Sequence, residues 1–471
     1  MAQSFFEGRT LDGLYREIQE VYLSDSRPWI LGFSGGKDST CMIQIVWNAL
    51  LKLPRERLAK RVFVISSDTL VESPKIVETV TGTLDSMESA GRRAGLPIST
   101  NLVRPVLAET FWVCLLGKGY PAPSTTFRWC TDRLKISSAN RFIGEKVSEH
   151  GEVVMVLGSR SDESSTRAQV LSMHRIGKTP LSRHDSLTGA YIYPPLRDFT
   201  TQDVWNYLLQ NSKNPWGGNN RDLLALYRDA NAAECPLVVD TSTQSCGNSR
   251  FGCWTCTVVE RDRSMEGMID SGETWMEPLL ELREELKRTQ DPEVKKDVRE
   301  LRHRNGSIIF WKGRVAMGNY KLGYCQGFLR RLLEAEAQVR RDGPDSAMEL
   351  IGRDEIREIQ RIWRMERGDW KNSAYAILEE VTGERLEAGH DDAGALGASE
   401  QEELEAACRG RPTPPVMMAR LINAEFEARG AGSRQALHSQ IAKILREEWR
   451  EDDEEILGDA RRKMEMMEEA R

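Results

Sequence analysis

Ser34-Gly35-Gly36-Lys37-Asp38-Ser39-Thr40 carries the residue types that most directly imply chemistry, and it follows the apolar run Trp29-Ile-Leu-Gly-Phe33. Gly35 and Gly36 have no side chains, so backbone N–H groups there can turn toward an anion, and the N-terminus of a following helix adds partial positive charge. Lys37 supplies a full positive charge. Asp38 can help hold a magnesium ion shared with phosphates, and Ser39 and Thr40 offer hydroxyl donors in the first helical turn. This set reads as a nucleotide phosphate cradle. Its spacing is not Gly-x4-Gly-Lys-Ser/Thr, which separates it from the P-loop of kinases and GTPases. A second cluster has a different chemistry: Cys235, Cys246, Cys253 and Cys256 lie in one loop-like segment of a chain with nine cysteines. Four thiolates gathered by a loop can hold one tetrahedral zinc or one 4Fe-4S cube, and the spacing does not choose between them.

The elements that must position these residues follow from periodicity. Residues 1–28 predict an N-terminal helix with Leu14, Ile18, Val21 and Tyr22 apolar and Pro28 ending it. From 29 to 212, short Val/Ile-rich runs alternate with helical patterns: strand 29–33, helix 38–53, strand 62–67, helix 74–95, strand 98–104, helix 133–149, strand 153–158 and helix 201–210. Such alternation predicts an α/β fold with an open parallel sheet covered on both faces, whose ligands gather beyond the carboxyl ends of the strands. Asp68 leaves the strand 62–67 and reads either as a ribose ligand or as a turn cap. Arg128, Arg133 and Lys135 place three cations before a helix, a phosphate clamp or a solvated turn. Gly158, Arg160, Glu163, Ser164 and Arg167 follow the strand that ends near Leu157.

The loop at Ser34–Thr40 resembles the PP-loop of ATP pyrophosphatases, which split ATP between its α and β phosphates and adenylate a substrate oxygen. The order of the later motifs resembles the phosphoadenylylsulfate reductase branch of that superfamily: Asp68-Thr69, Cys130-x4-Lys135, Gly158-x-Arg160-x-x-Glu163-Ser164, and Pro195-Leu-Arg-Asp-x-Thr200 before Asp203-Val-Trp205. The chain departs from those reductases in lacking their C-terminal Glu-Cys-Gly-Leu/Ile-His, since Cys325 stands in Gly-Tyr-Cys-Gln-Gly and Cys408 in Ala-Ala-Cys-Arg-Gly. Reduction of phosphoadenylylsulfate is therefore not expected. Joined to the cysteine quartet and to Arg250-Phe-Gly-Cys-Trp-Thr-Cys-Thr-Val-Val259, the pattern resembles, over nearly the full length, the DndC family of PP-loop sulfurtransferases of bacterial DNA phosphorothioation.

That resemblance implies a PP-loop ATP pyrophosphatase (adenine nucleotide alpha hydrolase-like) sheet over 29–212, an iron-sulfur segment with helices over 213–345, and a helical C-terminal region over 346–471. It implies ATP and Mg2+ held by Ser34, Gly35, Gly36, Lys37, Asp38, Ser39, Thr40, Asp68, Gly158, Arg160, Glu163, Ser164 and Arg167, with Lys37, Asp38 and Arg160 catalytic. It also implies a 4Fe-4S cluster on Cys235, Cys246, Cys253 and Cys256. DNA is the implied substrate, with a cysteine desulfurase as sulfur donor and a DndD-like ATPase and DndE-like DNA-binding protein as partners. Two other readings stand beside it: a PP-loop tRNA thiolase acting on a base carbonyl, and a non-catalytic nucleotide-sensing subunit with structural zinc. Cys130, beside the expected ATP site, reads as a sulfur relay or as a structural thiol.

Composition bounds these readings. A net charge of −7 argues against a protein that coats nucleic acid by charge alone. Arg128, Arg133, Lys135 and the His174–His184 segment are the candidates for local DNA contact. The sequence has no apolar run of membrane-spanning length and no signal-peptide order at its start, so a cytoplasmic setting is expected. Beyond 260 the pattern is helical and heavily charged, with Trp363 and Trp370 available for the core of a helical pair over 350–378 and with 383–405 reading as linker.

Overall fold

The computed structural model describes residues 4–161, 179–228, 252–311, 314–387, 396–429 and 434–450, with a few residues further toward the C-terminus. The chain divides into two compact units, one of residues 1–106 and 125–272 and the other of residues 107–124 and 273–471. These limits differ from the divisions at 212 and 345 read from the sequence.

The first unit is built on a six-stranded sheet. Its strands are β1 (Trp29–Gly32), β2 (Val62–Ser67), β3 (Ile98–Val103), β4 (Val153–Val156), β5 (Ser182–Arg183) and β6 (Ala190–Tyr193), in the spatial order β3-β2-β1-β4-β6-β5. All neighbours pair in parallel except β5, which runs antiparallel to β6 at the edge. The central strands are apolar on both sides because both faces are covered, and their residues sort by alternation. Trp29, Leu31, Val62, Val64, Val154 and Val156 enter one core, while Ile30, Phe63, Ile65, Val153 and Met155 enter the other.

The first core takes residues from α2 (Leu11–Leu23), α3 (Lys37–Leu51), α4 (Pro74–Ala94) and α6 (Thr201–Gln210). The second takes Ala139 and Ile143 from α5 (Ser137–His150). The parallel α/β architecture expected from the sequence is thus present, with β5 and β6 added. Their two and four residues are too short to stand out as periodic runs.

One N-terminal helix was expected over 1–28, but there are two, α1 (Phe5–Gly8) and α2. The break falls at Thr10, whose side chain accepts from Gly13 N at 3.1 Å and starts α2. Asp203 in the first turn of α6 explains how α1 is held. Its carboxylate accepts from Ser4 Oγ at 2.5 Å, Phe5 N at 3.0 Å and Thr200 N at 2.9 Å, so one side chain caps α6 and anchors α1.

In the second unit, residues 111–117 are buried, although they lie in sequence between two strands of the other unit's sheet. Trp112 Nε1 donates to Leu350 O at 2.7 Å, Trp363 Nε1 to Leu116 O at 2.8 Å, and Tyr320 N to Gly119 O at 2.7 Å. The helical pair expected over 350–378 is present as Arg353–Arg367 and Ser373–Thr382, with Trp363 and Trp370 both buried. The stretch 383–405 read as linker is corrected in part, because Ala398–Cys408 is helical. Glu400 accepts from Gly397 N at 2.8 Å and closes the first turn. No described helix is long and apolar enough to cross a membrane.

Candidate functional site

The strand order reverses direction between β1 and β4: β2 and β3 extend from one side of this pair, β6 and β5 from the other. In open α/β sheets a crevice forms at such a point, beyond the carboxyl ends of the strands. Ser34–Thr40 leaves β1 and Gly158–Arg160 leaves β4, so the two motifs meet there. Gly35 has φ +74°, a left-handed conformation that a residue without Cβ adopts freely, and Gly36 stands at the N-cap of α3 with no side-chain cap. The first-turn N–H groups of α3 are therefore not covered by a capping side chain. Ser34 and Ser39 hydroxyls stand 3.1 Å apart, and Ser39 Oγ also reaches Gly36 O at 3.1 Å, which holds the loop closed on itself.

Asp38 joins the two motifs. Its Oδ2 accepts from Lys37 Nζ at 2.8 Å and its Oδ1 from Arg160 Nε at 2.7 Å, with all three side chains buried. Arg160, 0% exposed, donates from Nη1 to Thr201 Oγ1 at 3.2 Å. In this arrangement Arg160 positions Asp38 and the start of α6, and both Asp38 oxygens face cations. Gly158 is required by proximity: a Cβ built on it would lie 2.9 Å from the Asp38 carbonyl carbon and oxygen.

Asp68, 4% exposed, ends β2. Its Oδ1 accepts from Leu70 N at 2.9 Å, the turn-cap geometry, and its Oδ2 from Arg104 Nε at 2.9 Å. Thr40 and the loop glycines are thus assembled with Lys37, Asp38, Ser39, Gly158 and Arg160, while Asp68 stands at the end of the neighbouring strand. Glu163, Ser164 and Arg167 lie outside the described residues.

Two of the four cysteines are described, Cys253 and Cys256; Cys235 and Cys246 are not. Cys253 pairs as a β-bridge with Glu72, Trp254 N donates to Val71 O at 3.0 Å, and Thr69 Oγ1 lies 3.3 Å from Cys253 Sγ. Cys256 N donates to Cys253 O at 3.0 Å, a turn that brings the two residues of Cys-x-x-Cys together. The residue after Asp68 thus touches Cys253, which brings the end of β2 and the cysteine segment together. Burial pushes the Cys253 thiol up to about 12, with Lys135 acting to lower it and Glu72 to raise it. Burial likewise raises the Glu72 carboxyl, against the pull of Lys135. Glu72 is a site residue that the sequence reading did not single out, and Thr69 was read only as a member of the Asp68-Thr69 motif. The available signal was their place directly after Asp68 at a strand's carboxyl end.

The run Arg128–Lys135 does not make an ordinary helix start. Thr131–Ile136 is π-helical, and it turns Lys135 inward to Glu72 Oε1 at 3.5 Å. Lys135 as a DNA contact is therefore corrected, since its side chain is only 13% exposed. Cys130 is partly buried at the start of the same turn. Of the other DNA-contact candidates, His174–Lys178 lie outside the described residues. His184 is turned into its own loop, where Nδ1 accepts from Ser186 N and Leu187 N at 3.2 Å each. Beneath the carboxyl ends of β1, β2 and β4 is a small cavity of about 20 Å³, room for about one water molecule. It is lined by Gly32, Ile65, Leu157, Ile136, Lys135 and Asn140 among others.

Fold and site together define an open α/β domain with a phosphate-binding loop at its switch point. Residues 28–259 match the phosphoadenosine phosphosulfate reductase domain family, so this part of the chain is a PAPS reductase-like domain of the PP-loop superfamily. An uncharacterized protein of Methanocaldococcus jannaschii is 28% identical over 193 residues, 41% of this chain. The match spans about a third, 34%, of that relative's length. Among solved structures, the U34-tRNA thiolase NcsA from Methanococcus maripaludis with its 4Fe-4S cluster is similar over 60% of this chain and 80% of that chain, with a TM-score of 0.28 and 12% identity.

Proposed function

We propose that the protein is an ATP-dependent sulfurtransferase that adenylates a DNA backbone phosphate and helps replace a non-bridging oxygen with sulfur. The observation that carries this reading is the contact of Cys253 with Thr69 and Glu72. It brings a cysteine segment to the rim of the sheet that bears the phosphate-binding loop. The choice of DNA rests on the sequence resemblance to the phosphorothioation sulfurtransferases.

In this reading the β and γ phosphates of ATP lie on the loop Ser34–Thr40. The substrate oxygen attacks the α phosphorus, the bond from that phosphorus to the bridging oxygen breaks, and pyrophosphate leaves with the electron pair. Lys37 turns from Asp38 to the departing pyrophosphate, and Arg160 keeps Asp38 neutralised meanwhile. With Lys37 turned to the pyrophosphate, Asp38 Oδ2 would be free to help hold a magnesium ion shared with the phosphates, while Arg160 keeps Oδ1. Attack of the terminal sulfur of a persulfide on the activated phosphorus then expels AMP. A second thiolate cleaves the remaining S–S bond, leaving sulfur on phosphorus and a protein disulfide that an external thiol reduces. The sulfur comes from a cysteine desulfurase, and the acidic chain leaves DNA to be presented by partner subunits such as a DndD-like ATPase and a DndE-like DNA-binding protein.

The donor set of Cys253 and Cys256, turned together at a partly buried site, suits a thiolate-bound group, with Cys235 and Cys246 completing the ligand set by their chemistry. A 4Fe-4S cluster there would supply sulfide and electron transfer that zinc does not. The test has two parts. Purified protein given ATP is expected to form AMP and pyrophosphate, and ADP with phosphate would refute the assignment. Host DNA is expected to contain phosphorothioate linkages only when the protein is present. Thiolated tRNA nucleosides that depend on the protein, with unmodified DNA, would replace the DNA reading by the tRNA one.

A further inference from the structure

We propose that Arg128 forms a phosphate-binding subsite at the start of the turn that carries Lys135, separate from the loop at Ser34–Thr40. Arg128 Nε and Nη1 are buried and meet no hydrogen-bond partner among the described residues. A guanidinium does not give up its proton to escape such a place, so its buried donors call for an acceptor. Arg128 as a whole is only partly buried, and a single water molecule reaching it would satisfy one of the two buried donors. An anion satisfies both.

Its surroundings specify the kind of anion. Thr131 N donates to Arg128 O at 3.0 Å, which opens the π-helical turn that carries Lys135 to Glu72, the residue bridged to Cys253. The preceding Phe127 is 47% exposed and offers an aromatic ring next to the guanidinium in sequence. A cation that needs an acceptor, in a segment that also exposes an aromatic ring, offers the two residue types that take a nucleotide by phosphate and base. The ligand is therefore a phosphate group carried either by ATP or by a polynucleotide. The nucleotide-using reading enters only in preferring phosphate to another anion.

Thermal unfolding of the full chain tests this, with inorganic phosphate, a non-hydrolysable ATP analogue and a short single-stranded DNA oligonucleotide as separate ligands at one ionic strength. At least one should raise the melting temperature. Arg128→Met should require a roughly tenfold or greater concentration of that ligand for the same shift, the loss expected for a charge-assisted bond. Arg128→Lys should recover part of the effect. A loss confined to the ATP analogue assigns the subsite to the nucleotide, and one confined to the oligonucleotide assigns it to the acceptor strand. Without ligand, Arg128→Met should melt at or above the wild-type temperature, because it removes an unmatched buried donor set. A lower ligand-free melting temperature would show that the fold itself uses the guanidinium and would overturn the proposal, as would shifts that are independent of Arg128 in every arm. None of these readouts uses turnover, so failure of the sulfurtransferase reading leaves the result interpretable.

Discussion

Gly158→Ala tests whether the end of β4 and the first turn of α3 form one object. The added Cβ would stand 2.9 Å from the Asp38 carbonyl carbon and oxygen and 3.2 Å from Ser39 N. Ordinary contact between such atoms is about 3.5–4.0 Å, so strand end and helix must part by about half an ångström or more. Neither side can yield by a rotamer change, because both are backbone. Leu157 N is held by Tyr193 O at 3.1 Å, Thr40 N by Gly36 O at 3.0 Å, and Asp38 by the buried Arg160.

Overpacking of this kind costs about 1–3 kcal/mol. The displacement falls on Asp38 and Ser39, inside the phosphate loop, and misplacement of about 1 Å lowers turnover on the order of 100-fold. Urea denaturation and pyrophosphate release measure the two effects. Gly144→Ala is the control: it lies in α5 with nothing within 4 Å of an added Cβ, and it should stabilise by up to about 1 kcal/mol without altering turnover. A Gly158→Ala protein with wild-type stability and wild-type pyrophosphate release would refute the reasoning.

Lys37→Ala should nearly abolish pyrophosphate release while the fold is retained, because Arg160 still pairs with Asp38. Arg160→Ala should instead lower stability by about 1.5–3 kcal/mol, the loss of a charged hydrogen bond to Asp38, whose Oδ2 keeps Lys37, which chemical denaturation will show. For Asp203, burial acts to raise the carboxyl, and the hydrogen bonds from Ser4, Phe5 N and Thr200 outweigh it and bring the pKa below its ordinary 3.8. Its contribution to stability is thus complete above about 3.8 and lost as the pH falls through the lower native value, so the stability deficit of Asp203→Asn should be full at pH 7 and vanish in strong acid. Asp68→Ala should lower both ATP turnover and the iron bound per chain in protein purified without oxygen, since the residue after it contacts Cys253. Unchanged iron with reduced turnover would separate the two sites.

The parts of the site that the sequence made legible are those decided locally. A strand, two glycines, a lysine and a helix start within twelve residues admit few arrangements, so the loop at Ser34–Thr40 could be read directly. The pairing of Asp38 with Arg160 could be placed at one end of the sheet but not foreseen as a buried bond, because nothing in the sequence says which residue of a strand-end motif points inward. The contact between Thr69 and Cys253 joins residues 184 apart and depends on how a cysteine-bearing segment folds back on the rim. Periodicity carries no such information. The same limit explains residues 107–124, whose apolar run Phe111–Leu116 fits a sheet-covering helix as well as the core of the second unit, which is where it is buried. Lys135 was misread because a basic run usually marks a solvated face, and here a π-helical turn redirects one member inward.

The loop after β2 constrains the proposed reaction more than the phosphate cradle does. Asp68 is fixed by Leu70 N and Arg104, and Leu70 takes the left-handed value φ +64° that the tight turn demands. Thr69 therefore has little freedom between a pinned carboxylate and the sulfur 3.3 Å away. A ribose that engaged Asp68 would have to compete with Arg104, and any shift of the carboxylate would pass to Thr69 through a single peptide. In the proposed reaction, nucleotide binding and the placing of Cys253 are then not independent events. An acceptor phosphate activated at the β1 and β4 ends meets the sulfur-bearing segment only if the β2 loop keeps its turn, which makes the strand-end residues Asp68, Thr69 and Glu72 a shared frame for both halves of the chemistry.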